Sequence, residues 1–390
     1  MRPLNSVFSG LGTTIFTVMS ALATEHGAIN LGQGFPDDEG PDDVRAAAAK
    51  AILDGPNQYP PMMGLPALRQ AVAAANKRFY GLDVDWQKEV MVTSGATEAL
   101  HDCLMALLNP GDEAIIFEPA YDSYRPVIEA AGAKVVAIPL EPPHWSLPIE
   151  KLEAAFSDRT KLVLVNTPMN PIGKVFTRAE LAAIAALMER HDAYAVCDEV
   201  YEHLVFSGHT HIPLMTLPGM RERCLRIGSA GKTFSLTGWK IGYVTGSAHL
   251  METVAKTHQF VTFTTAPGLQ SAVAYGLAKD DDYFASLASL LEAKRDILAR
   301  GLADAGFDVL PADGTYFISA DFRPLGFNGT DEEFCREITV KAKVAAIPLS
   351  AFYSSPDAPR HLARFCFCKQ DAILEEASAR LKDYAKGGAA

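Results

Sequence analysis

The sequence predicts an α/β fold: a mostly parallel sheet flanked by helices, with a smaller α+β domain from the N- and C-terminal segments. Three observations predict it. Strand-like and helix-like stretches alternate through the middle of the chain. Polar residues collect just where the apolar strand runs end. The two ends of the chain break the alternation.

The predicted strands are Val90-Thr93, Ala114-Phe117, Lys134-Ile138, Lys161-Asn166, Ala193-Asp198, Cys224-Gly228 and Gly242-Thr245. Between them lie predicted helices at Thr97-Leu108, Tyr124-Ala131 and Arg178-Arg190. The first follows a Ser-Gly-Ala turn and stops at Asn109-Pro110-Gly111, a helix-ending signal. Residues 1 to about 43, rich in Gly, Pro and polar residues, read as an arm. From 286 a long helix, Ser286-Ala305, leads into mixed structure ending in a helix over Ala372-Ala385. The expected division is a large α/β domain at 44–285 and a small domain from 1–43 plus 286–390.

A chain of 390 residues exceeds a single small core. Its 48% hydrophobic and 21% charged residues are ordinary for a globular enzyme. A formal charge of −12 argues against a nucleic-acid surface, which needs clustered Lys and Arg. Met1 to Gly10 lacks a signal-peptide pattern, and no apolar run approaches the roughly 20 residues that span a bilayer. The cysteines are scattered among apolar neighbours, and Cys366-x-Cys368 has the wrong spacing for a zinc knuckle. Buried reduced thiols, no metal site and a cytoplasmic location are expected.

The polar residues at the strand ends define the chemistry. In an open parallel sheet, ligands collect outside the carboxyl ends of the strands. Gly95-Ala96-Thr97 opens a helix, where free backbone N–H groups favour a phosphate. Asn170-Pro171 follows the fourth strand. Asp198 closes the fifth and needs a cation or good donors if buried. Tyr201 lies three residues on, one turn away if a helix starts there. Lys232 sits in Ser229-Ala230-Gly231-Lys232-Thr233-Phe234-Ser235-Leu236-Thr237-Gly238-Trp239-Lys240, on a Ser/Gly-rich turn with a second lysine eight residues on. An amine can condense with an aldehyde cofactor, while hydroxyls, turn amides and a second cation hold its phosphate.

With these residues the chain resembles the fold-type I, pyridoxal-phosphate-dependent aminotransferases, most of all the methionine and kynurenine (glutamine-type) aminotransferases. The motifs run over nearly the whole chain: Ile29-Asn30-Leu31-Gly32-Gln33-Gly34-Phe35-Pro36-Asp37, Asn57-Gln58-Tyr59, Ser94-Gly95-Ala96-Thr97-Glu98-Ala99, Asn170-Pro171-Ile172-Gly173-Lys174, Asp198-Glu199-Val200-Tyr201-Glu202, the lysine run, and Arg364-Phe365-Cys366-Phe367. The resemblance implies pyridoxal 5'-phosphate as cofactor, with Lys232 as its Schiff-base lysine and proton shuttle. It implies Asp198 at the pyridinium nitrogen, Tyr201 and Asn170 at the phenolic oxygen, and Tyr121 stacked on the ring. The phosphate would take N–H groups around Gly95, Ala96 and Thr97, the Ser229 hydroxyl and Lys240, with Tyr59 arriving from a second subunit. Arg364 would clamp the substrate α-carboxylate with help from the Gly34 backbone. Phe16 and, across a homodimer, Phe263 would line the side-chain pocket.

The implied reaction is ping-pong transfer of an amino group from methionine, an aromatic amino acid or a kynurenine-like donor to a 2-oxo acid. A dicarboxylic or lysine-biosynthesis donor is the alternative, and would need a second cationic group that cannot be assigned among the remaining arginines. Cysteine-conjugate β-elimination uses the same parts and stays open. A penicillin-binding acyl enzyme would match Ser229-x-x-Lys232, but its Ser-Asp-Asn and Lys-Thr-Gly partners are missing. Gly32-x-Gly34 begins like a dinucleotide fingerprint, yet Phe35-Pro36 follows where a helix should open. His209-x-His211 reads as a polar loop without a third metal ligand. A regulator with a DNA-binding module would need room and basic charge before Gly32 that the chain lacks.

Overall fold

The structure, a computed structural model, describes residues 2–387. Its centre is a seven-stranded sheet of β1 (Val90–Ser94), β2 (Glu113–Glu118), β3 (Lys134–Pro139), β4 (Thr160–Asn166), β5 (Tyr194–Asp198), β6 (Cys224–Ser229) and β7 (Ile241–Gly246). The spatial order is β1-β7-β6-β5-β4-β2-β3. Only β7 runs antiparallel to its neighbours. The carboxyl ends of β1, β4, β5 and β6 and the start of β7 therefore share one edge. Each expected strand is present, with ends shifted by a residue or two.

Helices cover the sheet, so its strands are apolar on both faces. Leu162, Val163, Leu164 and Val165 of β4 are all buried, a continuous run rather than an alternation. Each such side chain contributes roughly 1.5–3 kcal/mol of burial free energy. The helix Arg178–Arg190 starts at a capping box between Thr177 and Glu180. The helix after β1 runs Gly95–Leu107, beginning two residues earlier than expected.

A four-stranded antiparallel sheet pairs Ile347–Pro348, Leu362–Cys366, Phe317–Asp321 and Asp308–Val309 in that order. Ile29–Asn30 pairs in parallel with Val344–Ala345. The long helix begins at Asp281, five residues before the expected start, because Asp280 caps it by accepting from the Tyr283 N–H. It packs on the last helix, Asp371–Gly387. The segment expected as an arm contains a twelve-residue helix, Ile15–His26, capped by Thr14 and closed by Gly27 at φ 58°. Met19 and Ala23 bury one side of it against the helix Asp331–Lys341. Its Thr and Ser content hid this apolar stripe. No helix among the described residues is long and apolar enough to cross a membrane.

Candidate active site

The shared strand edge holds a cavity of about 240 Å³ lined by Gly95, Ala96, Thr97, Tyr121, Asn170, Asp198, Tyr201, Ser229, Lys232 and Lys240. These are all the expected cofactor residues except Tyr59. The floor is the N-terminus of the helix Gly95–Leu107, whose first N–H groups have no intrahelical acceptor. Gly95 takes φ 75°, and a Cβ there would lie 3.2 Å from Lys240 Nζ. At Gly242 a Cβ would lie 2.5 Å from the Gly95 carbonyl carbon and 2.7 Å from Ala96 N. Two missing side chains thus let β7 press the turn and bring a lysine amine over it.

Lys232 lies in a short helix, Ala230–Thr233, rather than the open turn expected. Its Nζ donates to the Tyr316 hydroxyl at 3.0 Å, and Tyr316 donates onward to the Gly34 carbonyl at 2.7 Å. Burial lowers the Lys232 pKa, with the positive charge of Lys240 adding to it. A lysine so placed has a larger neutral fraction and is a better nucleophile.

Asp198 is buried at the end of β5. Tyr124 donates to its Oδ2 at 2.6 Å, and the Val200 N–H approaches Oδ1 at 3.4 Å. Burial raises its pKa, opposed by the Tyr124 and Val200 hydrogen bonds and by the charge of Lys232. Asn166 Nδ2 donates to the Asp198 carbonyl at 2.9 Å, and its Oδ1 accepts from the Asn170 N–H at 2.8 Å. One side chain thereby fixes the ends of β4 and β5. No helix starts after Asp198; a series of turns carries Tyr201 into the cavity instead. Those turns are held from behind. Arg226 of β6 pairs with Glu199 and Glu202 and donates to Asn76 at 2.8 Å, while Tyr80 donates to Glu202 at 2.7 Å. His211, expected in a polar loop, is buried in this network with Nε2 2.9 Å from Glu199.

A second cavity, about 270 Å³, shares Tyr121, Asn170, Tyr201 and Lys232 with the first and adds Phe16, Gly34, Asp122 and Arg364. Arg364, only 1% exposed, donates to Asn170 Oδ1 at 3.2 Å and to the Gly32 carbonyl. Three rings enclose its guanidinium, those of Phe317, Phe352 and Phe16 at 4.1, 5.0 and 5.3 Å. Burial lowers its pKa to about 10, leaving it charged at neutral pH. Its Nε is buried without a partner among the described residues. A buried guanidinium with a donor left free has the geometry to receive a carboxylate.

Tyr59 and Phe263 do not line either cavity. They pack edge to face at 5.6 Å on the surface, with Tyr59 83% exposed. Sequence reasoning missed Tyr124, Tyr316, Asn166 and Phe317 as site residues. Glu199 and Glu202 lie inside the quoted Asp198 motif, but Tyr124 and Tyr316 lie in no motif and reach the site only through folding.

The arrangement has close counterparts. The profile of the class I and II aminotransferases matches residues 26–381. The chain belongs to that family. This aminotransferase is 46% identical to a probable N-succinyldiaminopimelate aminotransferase of Mycobacterium tuberculosis, covering 95% of each chain. It is 42% identical to the methionine aminotransferase of Escherichia coli, covering 95% of this chain and 96% of the other. It is 41% identical to mouse kynurenine–oxoglutarate transaminase 3, covering 94% and 87%. The solved structures of the Mycobacterium and Escherichia proteins each superpose with a TM-score of 0.95 over 98% of this chain and 100% of theirs.

Aminotransferases of this class use pyridoxal 5'-phosphate, and the first cavity fits it. An anion site at a helix N-terminus, with Lys240 and Ser229 beside it, lies in one enclosure with an amine and a buried carboxylate. Those are the donors that a phosphate, an aldehyde and a ring nitrogen require.

Proposed function

We propose that this aminotransferase moves the amino group of methionine, an aromatic amino acid or a kynurenine-like donor to a 2-oxo acid in a ping-pong cycle. The observation that carries the reading is the sharing of Lys232, Tyr121, Asn170 and Tyr201 between the two cavities. The amine that serves the cofactor is thereby beside the arginine that serves the substrate.

Gly95, Ala96, Thr97, Ser229 and Lys240 would hold the phosphate, Asp198 the ring nitrogen, and Tyr201 and Asn170 the phenolic oxygen, with Tyr121 on the ring face. When bound, the cofactor supplies an aldehyde carbon for amines and an electron sink for the charge left as Cα loses its proton. Arg364 and the Gly34 backbone bind the α-carboxylate, fixing Cα near Lys232. The neutral Lys232 amine would take the Cα proton and deliver a proton to the aldehyde-derived carbon of the cofactor, and in the second half-reaction would move a proton from that carbon back to the oxo-acid carbon. Asp198, kept in place by Tyr124, would keep the ring nitrogen protonated.

The substrate cavity favours apolar donors. Phe16, Phe35 and Phe317 line it, and sulfur or ring contacts with them are worth roughly 0.3–1.5 kcal/mol each. Its cations are Lys232 and Arg364, and Asp122 places a carboxylate in the same wall. Such a wall disfavours an acidic side chain. The 46% identity to a probable N-succinyldiaminopimelate aminotransferase favours a second reading, in which the donor comes from that class. A donor panel decides between them: methionine, phenylalanine, kynurenine, aspartate, glutamate and N-succinyldiaminopimelate, each with several 2-oxo acids. Turnover of N-succinyldiaminopimelate or glutamate far above methionine and phenylalanine would overturn the apolar reading. Pyruvate and ammonia released from cysteine conjugates without an acceptor would reveal elimination.

We propose further that the enzyme is a homodimer with shared sites, Tyr59 joining the phosphate and Phe263 the substrate pocket of the partner. Their exposure and mutual packing outside this chain's own cavities support it. The division into 44–285 and 1–43 plus 286–390 is proposed likewise, the two larger sheets falling on either side of it. Six cysteines present as free thiols support a reducing, cytoplasmic setting.

A further inference from the structure

Cys366 and Cys368 belong to no part of the proposed reaction, yet their surroundings are unusual for core thiols. Cys366 ends the strand Leu362–Cys366 and Cys368 follows two residues on, so both side chains leave the extended chain on the same side. Their Sγ atoms are 3.1 Å apart, about 1 Å more than the roughly 2.05 Å of a disulfide bond. Cys366 is fully enclosed. Cys368 lines a third cavity, about 450 Å³, with Lys232, Tyr316 and Lys369. Asp38, Glu39 and Leu290, all exposed, form its rim, so a small solute can enter from solvent.

Charge favours chemistry here. Burial opposes ionisation of Cys366, but the Cys368 S–H, Lys369 and Arg364 hold its pKa below the usual thiol value. Cys368 is pushed the other way by burial and by Cys366, as for two thiols that share one proton. The other buried pair, Cys197 and Cys224, lies inside the central sheet, both fully enclosed.

We propose that Cys366 and Cys368 are a reversible oxidation site for a small peroxide entering through the third cavity. The Cys366 thiolate takes the Cys368 proton as the Cys368 sulfur, the one that faces the cavity, attacks the peroxide O–O bond. A sulfenic acid forms and hydroxide leaves, taking the Cys366 proton to become water. The Cys366 thiolate then attacks the Cys368 sulfur; the S–S bond forms and the second hydroxide departs. Two thiol sulfurs are oxidised and one peroxide is reduced.

The closure acts on substrate binding. The Cys366 N–H donates to the Leu31 carbonyl at 2.7 Å, and the Cys368 carbonyl accepts from the Asp37 N–H at 3.3 Å. Lys369 Nζ donates to the Phe35 carbonyl at 3.1 Å. Drawing the two sulfurs together therefore pulls on the segment 31–37, which carries Gly34 and Phe35 into the substrate cavity.

The test treats the holoenzyme with dilute hydrogen peroxide, alkylates the remaining thiols after denaturation and maps them by peptide mass. Two of the six thiols should disappear, both in the peptide holding Cys366 and Cys368, and dithiothreitol should restore them. This readout is independent of which amino acid the enzyme uses. KM for the best donor should rise severalfold and recover with the thiols, while cofactor absorbance stays unchanged. Cys368→Ala should retain its KM under peroxide. Six surviving thiols, loss at Cys197 and Cys224 instead, or a Cys368→Ala enzyme with the same dithiothreitol-reversible rise would overturn the proposal.

Discussion

Tyr124 donates its hydroxyl proton to Asp198 across 2.6 Å inside a site where both side chains are buried. The contact orients the carboxylate and opposes the rise in its pKa that burial imposes. Tyr124→Phe removes one charge-assisted hydrogen bond of roughly 1.5–3 kcal/mol, a loss of about one to two decades in kcat/KM if felt fully in the transition state. Asp198→Asn removes the charge itself and should cost more, roughly 3–5 kcal/mol or two to four decades. Steady-state kinetics on both variants checks the order, and equal losses would refute it.

Arg364→Lys keeps a positive charge but loses the planar fork and the unpartnered Nε donor. A drop in kcat/KM of about one and a half to four decades is expected, carried mainly by KM, as roughly 2–5 kcal/mol of buried charge pairing is disturbed. A substrate amine lacking the α-carboxylate should show little difference between the two enzymes.

Lys232→Ala should still bind the cofactor noncovalently, with no borohydride-trappable bond. Because burial lowers the Lys232 pKa, kcat/KM should rise with pH through a value below that of an ordinary lysine. Tyr316→Phe removes the acceptor at 3.0 Å and should shift that limb without abolishing turnover. Trapping at a lysine other than Lys232 would sink the assignment.

His258 is buried between Glu98 and Asp102, its Nδ1 2.9 and 3.5 Å from them, and its Nε2 donates to the Met62 carbonyl at 3.1 Å. Burial works to lower its pKa, but hydrogen bonds to Asp102 and Glu98 win and raise it to about 9. A folded pKa above the unfolded value of about 6.5 stabilises the protein fully below the latter, and the gain is lost as pH rises through the folded value. Thermal stability of the wild type should therefore fall between these two values. His258→Gln should lose roughly 3–5 kcal/mol near pH 6, where two buried carboxylates lack their cation, and should show a flatter alkaline slope.

The proposed sharing of sites between subunits predicts complementation. A Lys232→Ala chain mixed with a Tyr59→Ala chain can form one intact site per mixed dimer, because Lys232 and Tyr59 then come from different chains. Activity should reappear on co-refolding two weak variants. If it does not, Tyr59 serves its own chain.

The strands were legible because buried parallel strands are short apolar runs, and Val90–Ser94 or Thr160–Asn166 read the same way in sequence and in space. The helix Ile15–His26 was not, since Thr14, Thr17, Ser20 and Thr24 dilute its apolar face to Met19 and Ala23. By itself the sequence determined the α/β class and the set of groups at the strand ends: the turn at Gly95, Asn170, Asp198, Ser229, Lys232 and Lys240. Local chemistry marks each of them, because a helix N-terminus, a carboxylate after an apolar run or a lysine in a Ser/Gly turn is visible over a few residues. Tertiary structure alone decided which groups complete them. Tyr124 reaches Asp198 across 74 positions, Tyr316 reaches Lys232 across 84, and Arg364 reaches Asn170 across 194. Hydrogen bonds between residues so far apart depend on how sheets and helices pack, and no local pattern encodes that.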